Sequence, residues 1–83
     1  MRIKVSYVAL IADVVGKHEE VIDVGDGITL GELLNHIMSK YPKLKELSKE
    51  VKITAVVNSV STELSQVLKE GDEVVILPPA SGG

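Results

Sequence analysis

The sequence contains no cysteine. Its fold therefore leans on neither disulfides nor a thiolate metal site, and the chain supplies no cysteine nucleophile and no persulfide of its own. Positive charge is also in short supply: 9 Lys and Arg face 12 Asp and Glu, a net charge of −3. A phosphate-tracking surface needs clustered Lys and Arg. Lys40, Lys43, Lys45, Lys49 and Lys52 do gather in one region, but Glu46 and Glu50 lie among them, and the stretch reads as a solvated face. No nucleic-acid partner is expected. Long apolar runs are missing too, since nothing approaches the roughly 20 residues of a membrane span. Arg2 and Lys4 ahead of "VALIA" imitate a signal peptide, yet the apolar stretch is short and "IKVSY" alternates at period two. A first strand accounts for that pattern, so no membrane partner is expected and the expected location is the cytoplasm.

What is present is enough for one small domain. The 83 residues are 45% hydrophobic, and a chain of this size buries roughly 60–65% of the surface it exposes when unfolded. Residues 2–11 read as a strand with Ile3, Val5 and Tyr7 on one face and Lys4, Ser6 and Val8 on the other. "DVVGKHEE" reads as a turn region and "EEVIDV" as a second strand pairing with the first. Thr29 and Glu32 have the spacing of a helix-starting capping box, with Ile28 and Leu33 as its hydrophobic staple. Leu30, Leu33, Leu34, Ile37, Met38 and Tyr41 then recur at helical spacing. Pro42 ends that helix or opens a short successor. "VKITAVV" at 51–57 reads as a third strand, "NSVSTEL" as a turn into a short strand, and "DEVVILP" as the last. The pattern predicts an α+β roll, a mixed sheet of four to five strands packed on one main helix, with first and last strands parallel neighbours.

The familiar catalytic constellations are missing. His18 and His36 have no metal-ligand spacing, and no metal site is expected. The glycines of "GDGITLG" fall at 25, 27 and 31, which is not the dinucleotide fingerprint. Alternation sends Glu19 and Glu20, like Asp72 and Glu73, to opposite faces, so neither pair works as acid and base together. One reactive group is left, the carboxyl of Gly83. It is an anion at neutral pH and a poor electrophile until its oxygen becomes a leaving group, for instance by joining AMP.

The end of the chain suits delivery of that carboxyl. Pro78 and Pro79 lack amide hydrogens, so the strand ladder stops there, and they push Leu77 and the chain beyond it into an extended form. Residues 78–83 reach up to roughly 20 Å at about 3.3–3.6 Å per residue. Ala80, Ser81, Gly82 and Gly83 are small enough to thread a narrow channel, and Gly82 and Gly83 leave the terminal carbonyl open to attack. The expected division is a body over 1–77 and a tail over 78–83.

"EGDEVVILPPASGG" strongly resembles the end of the molybdopterin synthase small subunit (MoaD) family, ubiquitin-like β-grasp sulfur carriers that include the thiamine-pathway carrier ThiS. "IKVSYVAL", "TLGELLNHI" and "AVVN" are consistent with the same family, so the resemblance covers essentially the whole chain. It implies a β-grasp fold and a carrier that is not itself an enzyme. An E1-like adenylating enzyme (MoeB-like) would use ATP to adenylate Gly83, with no cofactor held permanently by the chain. A sulfur donor protein would convert the adenylate to a thiocarboxylate. The molybdopterin synthase large subunit (MoaE-like) would take the tail and pass sulfur to a pterin precursor, building the dithiolene for molybdenum or tungsten. One departure stands out: family members commonly carry an Arg-Glu-Leu-like element after the first strand, where this chain has Ala12 and Asp13. That leaves partner identity open. Carriers of this shape also serve tRNA thiolation, thiamine synthesis or protein modification, and a non-covalent interaction module is a third reading.

Alternation also predicts a partner surface. Val75 and Leu77 share one face of the last strand, and Val8 shares the solvent face of the first. If the two strands are neighbours, Val8, Val75 and Leu77 form an apolar docking patch at the tail's root, continued by Pro78, Pro79, Ala80 and Ser81. Asp72 and Glu73 would add charge complementarity.

Overall fold

The period-two alternation of the first residues becomes β1, Arg2–Tyr7, with Ile3, Val5 and Tyr7 buried and Lys4 and Ser6 turned the other way. The structure, a computed structural model, describes residues 1–79. The strand expected over 2–11 stops at Tyr7. The Ile11 amide donates to the Val8 carbonyl at 3.0 Å, closing a tight turn, and α1 follows over Leu10–Val15. Ile11 and Ala12 are buried and Val15 lies one turn on, so a helix gives these apolar residues a common inward side. "VALIA" taken alone is apolar enough for either geometry. Gly16, in the left-handed region at φ 88°, ends the helix and donates to the Ala12 carbonyl.

β2, Glu19–Asp23, runs antiparallel to β1 as expected. The main helix α2, Leu30–Lys40, begins at the Thr29–Glu32 capping box and buries Leu30, Leu33 and Ile37. Pro42 opens a separate helix α3, Pro42–Ser48, which buries Leu44. Among the described residues the expected main helix is α2, and the shorter α1 and α3 accompany it. β3 is Thr54–Val57, shorter than the run 51–57. Thr54 pairs with Leu77, and the prolines that follow Leu77 have no amides to offer an upstream continuation of β3. Asn58 and Ser59, both at positive φ, turn the chain into β4, Val60–Ser61. β5, Glu73–Leu77, closes the fold.

The sheet order is β2-β1-β5-β3-β4, with β1 and β5 parallel and the other neighbours antiparallel. The inward residues of the strands and the buried residues of all three helices form one core. The helices therefore cover one face of the sheet and leave the opposite face open. Val74 and Ile76 of β5 are fully buried, which pins the strand that carries the tail. Among the described residues, no helix is long and apolar enough to cross a membrane.

Candidate functional site: the root of the tail

β5 lies third of five strands, flanked by β1 and β3. Its end is set by register: Tyr7 pairs with Ile76, and Thr54 with Leu77. Pro78 is half-buried and Pro79 exposed, so the chain leaves the sheet from the middle of its end. The expectations for Ala80, Ser81, Gly82 and Gly83 lie outside the described residues.

The open face carries the anticipated apolar residues. Val75 has Ser6 on one side and Val56 on the other. Val8 follows β1, and its amide donates to the Ile76 carbonyl at 3.3 Å. Val8 is 39% exposed, whereas Val75, Leu77 and Val56 are half-buried. The strand neighbours that were assumed are real, and they bring Val8, Val75 and Leu77 together. Val56 belongs to the same surface and was overlooked, because its place depends on the β3–β5 register, which no local pattern reveals.

Asp72 does not serve this face. Its carboxylate accepts the Lys69 amide at 2.8 Å and the Asn58 side-chain amide at 3.0 Å. Those bonds tie the turn before β5 to the β3–β4 turn, and Asn58 Oδ1 in turn accepts the Glu73 amide at 3.0 Å. A carboxylate held in this way is spent on positioning the start of β5. Glu73 stays exposed beside Lys4 at the end of the sheet away from the tail.

A second polar cluster lies at the tail end of β1, on its core side. Glu20 points to the core side of β2, while Glu19 faces outward and pairs with Lys4 at 3.4 Å; the opposite-face expectation holds. Glu20 Oε2 accepts the Tyr7 hydroxyl at 2.6 Å and the Tyr41 hydroxyl, and Oε1 accepts Lys40 Nζ at 2.7 Å. The Tyr7 and Tyr41 rings meet edge to face with centroids 6.1 Å apart. Burial pushes the Glu20 carboxyl upward, but the hydrogen bonds from Lys40, Tyr41 and Tyr7 outweigh it and hold the pKa down at about 2. Burial, then the Glu20 anion, raise the Tyr7 phenol well above its ordinary value. The hydrogen bond to Glu20 raises Lys40. Both hydroxyls donate to the one carboxylate, so the cluster is a structural tie between β1, β2 and the α2–α3 junction. Among the described residues no group of three or more His, Asp or Glu side chains is arranged to hold a metal ion.

The ThiS family profile matches residues 5–83. The chain belongs to the ThiS family. The "Molybdopterin synthase sulfur carrier subunit" of Chlamydomonas reinhardtii is 37% identical over 83 residues, spanning 100% of both chains. The small archaeal modifier protein 1 of Methanosarcina acetivorans superposes with a TM-score of 0.80 at 26% identity, covering 99% of this chain and 96% of that one. A chain in the complex of subunits 1 and 2 of the molybdopterin-converting factor from Helicobacter pylori has a TM-score of 0.70 at 26% identity, with full coverage of both. The fold is the ubiquitin-like β-grasp, and in this ThiS-family chain the tail's root sits at the end of the central strand.

Proposed function

We propose that this ThiS-family chain is the sulfur carrier subunit of a molybdopterin synthase. The observation that carries the reading is the end-to-end match to the Chlamydomonas sulfur carrier subunit. In this reading residues 1–77 are a rigid body and 78–83 a working arm. An E1-like adenylating enzyme joins the Gly83 carboxylate to the AMP moiety of ATP, releasing pyrophosphate. A sulfur donor protein then supplies sulfur at oxidation level −2, AMP leaves, and Gly83 ends in a thiocarboxylate. The large synthase subunit receives the arm, the thiocarboxylate sulfur forms a C–S bond to the pterin precursor, and water cleaves the Gly83 acyl–sulfur bond, restoring the carboxylate for another cycle. Val8, Val75, Leu77, Pro78 and Pro79 form the docking surface, Ala80 and Ser81 thread the partner's channel, and Gly82 and Gly83 reach its reacting centre. In this reading no side chain of the chain serves as acid, base or nucleophile; the terminal group alone reacts, and the fold carries and presents it.

The likeness to an archaeal modifier protein favours a second reading, in which the same activated Gly83 is transferred to lysine amines. Incubation with ATP, the cognate adenylating enzyme and either the large subunit or candidate acceptors separates the two. The first reading expects a complex with the large subunit, and isopeptide conjugates on other proteins would support the second. Adding one residue after Gly83 is expected to abolish loading while leaving the thermal unfolding curve unchanged. Undiminished loading refutes both.

A further inference from the structure

We propose that the Val8–Ala9–Leu10 elbow is a docking contact for the sulfur-accepting large subunit, with Leu10 the side chain that subunit covers. The inference rests on the carrier reading above and adds a contact that the sheet face alone does not contain. β1 and β5 are parallel and in register at Tyr7 and Ile76, so the residues after Tyr7 leave the sheet alongside Leu77, Pro78 and Pro79. There the chain turns sharply. Ala9 has φ 53° and ψ −126°, the first central position of a type II′ turn, where glycine is favoured over any residue with a Cβ. The fold holds an alanine in that conformation, which fixes the shape of the elbow before any partner arrives.

The elbow displays its apolar side chains instead of burying them. Val8 is 39% and Leu10 45% exposed, while Ile11 and Ala12 next to them are in the core. No charged residue occurs between Ser6 and Ala12, so this part of the rim suits an apolar partner surface. Chain length keeps the partner close. Four residues follow Pro79, and fully extended they span at most about 14 Å. A pocket that takes Gly83 must open within that distance, and its walls then rest on the rim beside the tail, where the elbow stands. An apolar contact there fits a partner that stays bound while sulfur is transferred.

The test measures binding of the full-length chain to the cognate large subunit by titration calorimetry, comparing wild type, Leu10→Ser, Leu10→Gln and Val21→Ser. Val21 is as apolar and 60% exposed, but it pairs with Lys4 and lies with Glu73 at the opposite end of the sheet. Both Leu10 variants are expected to weaken the complex roughly fivefold, about what half-covering a leucine contributes. Their melting temperatures should match wild type, and Val21→Ser should bind like wild type. Unchanged affinity in both Leu10 variants overturns the elbow contact alone, as does an equal loss in Val21→Ser. Failure of the wild-type chain to bind overturns the carrier reading together with it.

Discussion

Replacing Glu20 by Gln should make the protein less stable at neutral pH and almost indifferent at strong acid. The Glu20 side chain is about one-tenth exposed, and its pKa falls from an ordinary 4.5 to about 2 in the folded protein. At roughly 1.4 kcal/mol per pH unit, that depression is worth about 3 kcal/mol to the folded state. Because the folded value lies below the unfolded one, the contribution is complete above about pH 4.5 and is lost as pH falls toward 2. Glutamine keeps an oxygen for the Tyr7 and Tyr41 hydroxyls but gives up the charge that Lys40 answers. A loss of about 2–3 kcal/mol at pH 7 corresponds to a melting temperature lower by roughly 10–20 °C in a domain of this size. Urea unfolding of wild type and Glu20→Gln at pH 7, 5, 3.5 and 2 reads the effect directly. The gap between them should be widest at pH 7 and narrow steadily below 4.5. A gap that persists unchanged to pH 2 would trace the loss to packing and not to the Glu20 charge.

Other outcomes follow from local geometry. Ala9→Gly relieves the turn that α1 springs from, and should raise stability by about 1 kcal/mol in thermal unfolding; a lower melting temperature would mean the conformation carries no strain. Thr29→Ala removes the hydroxyl that accepts the Glu32 amide at 3.2 Å and should cost about 1 kcal/mol, read by urea unfolding. A loss below a few tenths would show that the capping box is idle. Ile76→Ala empties a fully buried site in the tail-bearing strand and should cost about 2–5 kcal/mol. A smaller loss in urea unfolding would mean that β5 is not anchored by its core face.

The sequence disclosed whatever is written in neighbouring residues. Thr29 and Glu32 signal α2 because both halves of the capping box lie within four positions. The alternation in "IKVSY" and "EVVIL" distinguishes the core face from the open face without any knowledge of partners. The prolines at 78 and 79 mark where both β5 and, through pairing, β3 must stop. α1 was hidden because an apolar run next to a strand looks like more strand. The turn that separates the two uses an alanine where glycine is the usual signal. The Glu20 cluster was out of reach for a different reason: Tyr7, Glu20 and Tyr41 lie 13 and 21 positions apart, and only the fold brings them to one carboxylate. Val56 joined the patch by register alone. At the candidate site, Val8, Val75 and Leu77 could be grouped from alternation once β1 and β5 were taken as parallel neighbours, whereas the elbow at Leu10 needed the backbone itself.

In the proposed function all of the chain's chemistry falls to the carboxyl of Gly83. Intact-mass spectrometry of the protein purified from its own cells, with fragmentation to locate any change, is the decisive experiment. The expected spectrum contains a fraction in which one oxygen of the terminal carboxylate is replaced by sulfur, confined to Gly83. A fully unmodified population from cells actively making the cofactor, or an added sulfur carried anywhere but Gly83, would rule it out.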